Sequence, residues 1–400
     1  MLVPRTLQTK LLALARKFPV VTVTGPRQSG KTTLCRACFP DHRYVSLEAP
    51  DVREYASRDP RAFLAHAGDA AVLDEVQRVP ELLSYLQVEV DARPRRGRFI
   101  LTGSANFALL HSISQSLAGR TALLTLLPLG RDELRRFPAA PRTLYETLWK
   151  GSFPAVFDRE LSPTDWYSAY VGTYVERDVR QVLNVGDLIS FQGFLRLCAG
   201  RVGQLLNLSG LGADAGITHG TARAWVSVLE ASYIAHRLPP YGANVGARVV
   251  KTPKLHFYDS GLACFLLGIR NPEQLEHHPL RGAIFETWVI SEILKARVHR
   301  GLQPSLFFFR DRKAVEVDAV LECGDGVLAV ETKSGQTVAD DFFTGLEAFA
   351  RQVGSPRHKL RVLRALVYGG DAAQARSNVD VIPWSQIDAY DWCGNARGAQ

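Results

Sequence analysis

Long apolar runs are missing from this sequence. The longest, TALLTLLPLG at residues 121–130, is about half of the ~20 residues that a helix needs to cross a bilayer. The opening MLVPRTLQTK holds no apolar segment of the kind that begins a secretory signal, so the expected location is the cytoplasm, with no membrane partner. Cysteine is scarce and scattered, at positions 35, 38, 198, 264, 323 and 393, and only Cys35 and Cys38 form a C-x-x-C pair. A zinc site needs a second ligand pair at suitable spacing; none is near, so these read as reduced thiols on a helix. Internal repeats and low-complexity tracts are absent as well, which removes repeat arrays from the candidate architectures.

What is there is an ordinary globular composition, 46% hydrophobic and 22% charged. Four hundred residues are too many for one core, so ~2–4 domains are expected. The net charge of +8 is unevenly spread: residues 93–142 carry nine Arg against only Asp132 and Glu133, and RPRRGR at 93–98 is part of that run. Such a patch either attracts a phosphate backbone or is a solvated loop between two elements.

The first third alternates short β-rich runs (FPVVTVTG, YVSL, AAVLDE, RFILTGS, LLTLLPL) with helix-like stretches. That alternation predicts an α/β fold with a parallel sheet and helices on both faces. Between Glu133 and about Asp187 the strand signal fades into helical stretches broken by Gly and Pro. Residues 194–238 then read as two helices joined by a Gly-bearing turn, with Thr218 or Thr221 as a cap and Ala222, Val226, Leu229 and Ile234 as its apolar face. With the strand candidates AHRLPPY and KLHFYDSG after them, they suggest a winged helix-turn-helix. Thr218, His219, Thr221 and Arg223 would begin its recognition helix, where side chains reach bases or phosphates, and DNA is the expected partner. The alternative is a helical module used only for packing, and Trp225 and Tyr233 read as core.

GPRQSGKT, residues 25–32, fits G-x-x-x-x-G-K-[ST], with a strand-like VVTVT before it and a helix-like TTLCRACF after it. Glycines let backbone N–H groups turn toward phosphates, and the following helix points its positive end at the same anion. ATP is therefore the expected ligand, contacted by Gly25, Gln28, Ser29, Gly30, Lys31 and Thr32, with Thr33 as a weaker candidate. Lys31 adds charge, and Thr32 offers its hydroxyl to Mg²⁺. AAVLDEVQ ends a buried strand in two acids, Asp74 to hold the Mg²⁺ and Glu75 to polarise the attacking water. RFILTGSAN places Ser104 or Asn106 to sense the γ-phosphate. SLAGR places Arg120 before a further strand, either as a surface residue or reaching a γ-phosphate, on a neighbouring subunit if the chain forms a homo-oligomer.

Together, TVTGPRQSGKTT, VLDEVQ, ILTGSAN, SLAGR followed by LPLGRDEL, and GSFP resemble the bacterial and archaeal P-loop ATPases of the AAA+ class that carry a conserved C-terminal domain of unknown function (the AAA_14/DUF4143 type). The resemblance covers about residues 1–350. It implies an ASCE-type P-loop NTPase core at 1–135, a helical lid at 136–193, a winged helix at 194–275 and a restriction-endonuclease-like α/β domain at 281–388, before a disordered tail at 389–400.

That last domain opens with GAIFETWVISEILKARV and continues through EVDAVLECGDGVLAVETK. With Gly324-Asp325 as a hairpin tip, Asp318 falls opposite Glu331, Lys333 shares their face and Glu316 opposes Lys333. Two facing carboxylates repel unless a hard cation such as Mg²⁺ or Mn²⁺ sits between them. Asp318, Glu331 and Lys333 resemble the PD-(D/E)xK nuclease core, without its proline since Val317 precedes Asp318, and Glu286 resembles the extra acid of some such nucleases. On that resemblance Asp318, Glu331 and Glu286 bind metal and Lys333 is catalytic. The alternative is a charged sheet face on which Glu316 pairs with Lys333, in a chain that acts as an ATP-driven switch binding DNA or protein without cleaving.

Overall fold

Strand β1 (Val20–Thr24) is buried at all five positions, as a VVTVT run in the middle of a parallel sheet must be. This computed structural model describes residues 3–104, 115–175, 188–242, 250–324, 326–353, 360–376 and 378–392. With β2 (Arg43–Ser46), β3 (Ala71–Asp74), β4 (Phe99–Thr102) and β5 (Thr121–Thr125), β1 forms an all-parallel sheet of order β2-β3-β4-β1-β5. The edge strands are the less buried ones. Alternation sends Val20, Leu73 and Leu101 to one face, under helices Pro60–Ala67 and Leu82–Ala92. Val21, Val72 and Ile100 go to the other, under Leu7–Ala15 and Lys31–Cys38. All five expected strands are present. Because β4 lies between β1 and β3, its last residue, Thr102, stands between the loop after β1 and the end of β3.

The chain divides into two compact units. The first comprises Met1–Leu129, Ala231–Tyr233 and Val298–Leu302; the second comprises Gly130–Glu230, Ile234–Arg297 and Gln303–Gln400. The second unit takes in residues of the expected lid, winged-helix and C-terminal segments.

In the second unit, helices Leu144–Lys150, Pro154–Asp158 and Pro163–Tyr170 are tied down by one buried carboxylate. Asp259 accepts the Ser152 N–H (2.7 Å) and hydroxyl (2.8 Å) and the Tyr167 hydroxyl (2.5 Å), and it caps helix Ser260–Leu266 through the Leu262 N–H. Gly151 has φ +66°, and a Cβ there would collide with Tyr167 Oη and Asp259, which accounts for the glycine of GSFP. Helices Leu188–Ala199, Leu208–Asp214 and His219–Ala231 follow. Thr218 is the cap, accepting the Thr221 N–H at 3.1 Å, while Ala222, Val226 and Leu229 are buried and Trp225 lies edge-on to Phe191 and Phe194. Strands β6 (Ala235–Leu238) and β7 (Lys254–Phe257) pair antiparallel, and Leu205 bridges Lys254.

The long helix Arg281–Val298 leads into β8 (Leu306–Arg310), β9 (Glu316–Cys323), β10 (Gly326–Lys333), β11 (Arg361–Tyr368), β12 (Gln374–Arg376) and β13 (Val379–Pro383), in the order β12-β13-β11-β10-β9-β8. Strands β8, β9 and β10 are antiparallel neighbours, whereas β11 runs parallel to β10 and to β13. Helix Thr344–Val353 makes the crossover between β10 and β11, its Leu346, Phe349 and Val353 in the core with Val317, Val320 and Leu366. Strand β12 and helices Ser260–Leu266 and Pro272–Glu276 have no counterpart in the sequence reading; all are short, with weak periodicity. Among the described residues no helix is long and apolar enough to cross a membrane.

Candidate functional site

The loop after β1 is shaped by backbone constraints before any side chain acts. Gly25 has φ +142°, and a Cβ there would run into the Leu126 carbonyl. Gln28 (φ +60°) and Gly30 (φ +93°) are left-handed, and Gly30 delivers the chain into helix Lys31–Cys38, whose first N–H groups have no intrahelical partner. Ser29 is fully buried, and its Oγ has no hydrogen-bond partner. Lys31 Nζ donates to the carbonyls of Gly25 (3.1 Å) and Pro26 (2.7 Å). Burial lowers its pKa to about 8, against the opposing pull of Glu75 and Asp74. Gln28 and Thr33 are exposed. Arg5, which the sequence reading does not single out, braces this loop from below, donating to the Ser29 carbonyl (2.6 Å) and to the Leu127 carbonyl (2.8 Å).

Asp74 ends β3 beside the loop. The Thr32 hydroxyl donates to its two carboxylate oxygens at 3.0 and 3.1 Å, Tyr44 Oη donates at 2.7 Å, and Thr102 also bonds to it. Burial, followed by the bond to Asp74, raises the Tyr44 phenol to about 12. A threonine hydroxyl and a carboxylate in contact at a P-loop fit Mg²⁺, whose octahedral shell they would share with phosphate and water. Glu75 follows in the left-handed region (φ 59°, ψ 44°), a conformation that a non-glycine residue holds only under constraint. Its carboxylate is bonded to Gln77 Nε2 and lies 3.4 Å from Ser104 Oγ, which in turn accepts from Gln77 at 3.0 Å. Ser104 is thus brought to the site; Asn106 lies outside the described residues.

Arg120 is not brought there. It immediately precedes β5, next to the start of β1, whereas the loop follows the end of β1. At ~3.3 Å per residue the two lie a full strand length apart, and Arg120 is engaged with Asp91 at 2.6 and 2.8 Å. Reach to a phosphate of its own chain is therefore corrected. The basic run is also partly spent internally: Arg98, 2% exposed, pairs with Glu89 (2.9 Å) and Asp69 (3.0 Å), and Arg93 shares Glu89, while Arg95 and Arg96 are exposed.

In the C-terminal sheet the β9–β10 ladder runs from Gly326↔Cys323 to Val330↔Ala319, the register expected from a Gly324-Asp325 tip. One further step sets Glu331 beside Asp318. The ladder ends one pair short of them, and Asp318 Oδ2 accepts both the N–H and the hydroxyl of Thr332 at 2.8 Å. Lys333 Nζ donates to Glu331 Oε1 at 2.6 Å, and Glu331 Oε2 is buried with no hydrogen-bond partner. Glu316 does not meet Lys333: it pairs with Lys254 (2.6 Å) and Arg310 (3.2 Å). This corrects the expected cross-strand pair: β9 pairs with β10 as far as Ala319, and beyond a register shift against β8 Glu316 lies opposite Arg310. Lys254, from β7, also contacts Glu286 at 2.8 Å and Asp318 Oδ1 at 3.8 Å. Nothing in the sequence around Lys254 announces this.

The charges of the cluster act on one another. Burial, then the Asp318 charge, raises Glu286 to about 8, and the same two causes raise Glu331 to about 8. Burial alone would lower Lys254, but Glu286, Asp318 and Glu316 more than offset it and raise its pKa. Asp318 and Glu331 fit a hard cation in that Glu331 Oε2 is buried, unpartnered and next to a second acid. Glu286 fits less well, because Lys254 already lies against it. Among the described residues no three His, Cys, Asp or Glu side chains form a ready metal cage.

Helix His219–Ala231 presents His219 and Arg223 to solvent from its first turns, with Thr218 exposed at its cap and Thr221 half-buried.

Known families match along the chain. Residues 17–135 match the family described as AAA domain, residues 141–273 a domain of unknown function (DUF8612), and residues 281–387 another domain of unknown function (DUF4143). Uncharacterised proteins of Mycobacterium tuberculosis (Rv2008c) and Mycobacterium bovis (Mb2031c) are each 29% identical over 392 residues, spanning 96% of this chain and 84% of theirs. Among solved structures, a Walker-type ATPase of Pyrococcus abyssi is 15% identical, covering 65% of this chain and 94% of its own, at a TM-score of 0.40. AMPPCP-bound DnaA of Aquifex aeolicus is 13% identical, covering 56% and 85%, at 0.30; at such scores neither likeness carries an argument. With the P-loop, the acid-ended β3 and the parallel sheet, the AAA match shows that the chain carries an AAA-like P-loop ATPase domain and, at residues 281–387, a DUF4143 domain.

Proposed function

We propose that the chain hydrolyses ATP, binds DNA through the start of helix His219–Ala231, and carries a metal-dependent nuclease-like site in its C-terminal sheet, with ATP turnover controlling that site. The hydrolysis reading is carried by the contact of Thr32 with Asp74, which joins the P-loop to the end of β3 at one point. Lys31 would hold the phosphate oxygens, Glu75 would orient the attacking water, and Ser104 would steady Glu75. Mg²⁺ at Thr32 and Asp74 would supply charge neutralisation. A helix pair with a four-residue turn followed by a two-stranded sheet supports a winged helix-turn-helix, and its exposed Thr218, His219 and Arg223 supply phosphate-binding chemistry. Helix, three antiparallel strands, crossover helix and parallel strand support the nuclease-like reading of Glu286, Asp318, Glu331 and Lys333. A divalent ion at Asp318 and Glu331, Mg²⁺ or Mn²⁺, would lower the pKa of its water; Lys333 would orient that water. A homo-oligomer enters the proposal only through Arg120, which would act on a second copy.

The test is a plasmid-nicking assay with Mg²⁺ or Mn²⁺, with and without ATP, comparing the parent with Lys333→Ala and Lys31→Ala. Nicking that vanishes in Lys333→Ala supports the site, and a change in Lys31→Ala ties it to ATP. No nicking by any variant, with ATP hydrolysis intact, supports the second reading, a nucleotide-driven switch that binds DNA or protein without cleaving. The observation favouring that second reading is Lys254, a cation of the chain's own set among the acids.

A further inference from the structure

We propose that Lys254 is a resident cation of the C-terminal site: its ammonium stands where a second divalent ion would, so the site takes at most one, at Asp318 and Glu331. The inference rests on the reading of those two acids as metal ligands. Four acids, Glu286, Glu316, Asp318 and Glu331, meet in one cluster, with Asp318 and Glu331 buried and Glu286 and Glu316 half-buried, and they divide into two groups by partner. Lys254 Nζ lies 2.6 Å from Glu316, 2.8 Å from Glu286 and 3.8 Å from Asp318 Oδ1. Three carboxylates from a helix and a strand thus converge on the nitrogen of one side chain that is only 3% exposed.

The other group is different. Glu331 spends Oε1 on Lys333 and keeps Oε2 buried and unpartnered, in a residue that is 9% exposed. A buried carboxylate oxygen without a donor is costly, and a cation held jointly with Asp318 relieves it. One side of the cluster is therefore satisfied by the protein, and the other is left for an ion. An ammonium and a hydrated divalent ion differ in what they can do. The lysine supplies charge and three donors, but no bound water to deprotonate and no exchangeable ligand position. Lys254 would thus hold Glu286 and Asp318 in place without carrying chemistry, which makes it a positioning residue.

The supply of this cation is a feature of the fold. Lys254 begins β7, and its backbone is fixed by the β6–β7 ladder and by the bridge to Leu205. Its ammonium is thus delivered from the element that follows helix His219–Ala231 rather than from the C-terminal sheet.

The experiment counts Mn²⁺ bound per full-length chain, by titration calorimetry and by loss of the free-ion paramagnetic resonance signal, without nucleotide. The chains compared are the parent, Lys254→Met, Lys254→Arg and Glu331→Ala. The expected result is one more ion per chain in Lys254→Met than in the parent, and no gain in Lys254→Arg, which keeps a cation there. Equal counts in the parent and Lys254→Met overturn the proposal, as does an equal gain in Lys254→Arg. Should Lys254→Met not fold, the pair Lys254→Met with Glu316→Gln, which removes one charge of each sign, carries the same count. The reading of Asp318 and Glu331 is judged separately, by whether the parent binds an ion that Glu331→Ala loses. If the parent has no such ion, that reading fails, while the difference between parent and Lys254→Met still decides Lys254.

Discussion

Two charged sites lie in this chain, and they treat charge in opposite ways. At the P-loop, Lys31 is buried against backbone carbonyls, at a helix start that offers further N–H groups. Its positive potential is shaped for an anion from outside. In the C-terminal sheet the acids are met by Lys254, Arg310 and Lys333 of the chain itself, and Glu331 Oε2 is left buried without a partner. Similar motif quality in sequence thus conceals different readiness. The first site asks for its ligand with most of its groups; the second asks with one oxygen. That difference explains why the nucleotide reading stands on local geometry, while the nuclease-like reading depends on what Lys254 does.

Glu75→Gln should lower the rate of phosphate release by ~10²–10⁴-fold while nucleotide still binds, since only the group that orients water is changed. Unaltered hydrolysis would remove Glu75 from the reaction. Lys31→Ala should lower hydrolysis by ~10²–10³-fold and abolish binding of a fluorescent nucleotide, yet leave the C-terminal ion count unchanged. On the other side, Lys254→Met should cost about 3–5 kcal/mol of stability in chemical denaturation, because it leaves buried acids without their cation; a loss below about 1 kcal/mol would mean that the cluster is not held by Lys254.

Acid gives a smaller lever on the same region. His236 is buried, 5.7 Å from the His256 ring, and burial lowers it to about 4. Its folded pKa lies below its unfolded value, so its contribution is fully present above about pH 6.5 and is lost as pH falls toward 4. That contribution is about 3 kcal/mol, an order of magnitude only. Denaturation at pH 7 and pH 5 should show the decline, and His236→Phe should flatten it. The smallest effect is expected at Arg120. From the far end of its strand, Arg120→Ala should leave hydrolysis by dilute protein within about twofold; a larger loss would mean that a second copy supplies the arginine.

The legible parts of this molecule are those whose chemistry is contiguous. GPRQSGKT and VLDEVQ could be read because a phosphate loop and a strand end are each built within a few residues. The β9–β10 register could be read because a two-residue tip fixes every pair behind it. The misjudged or unseen residues depend on a third element or, for Arg120, on the direction of a strand. Glu316 was expected to answer Lys333 along the sheet, but Lys254 and Arg310 take it from the side. Arg5 reaches the P-loop across the fold from before the first helix. Arg120 has the right neighbours in sequence and lies at the wrong end of its strand. Local pattern reports which face a side chain occupies and says little about what arrives opposite that face.

The hairpin tip carries one more consequence. Asp318 and Glu331 are neighbours because the β9–β10 ladder, which runs to Val330↔Ala319, leads to mirror positions about the turn, not because twelve residues separate them. Residues added at Gly324 would lengthen the turn and leave the pairing intact, whereas a single residue added within either strand would turn one acid to the opposite face. The distance along the chain is free to drift; the symmetry about the turn is what the site inherits.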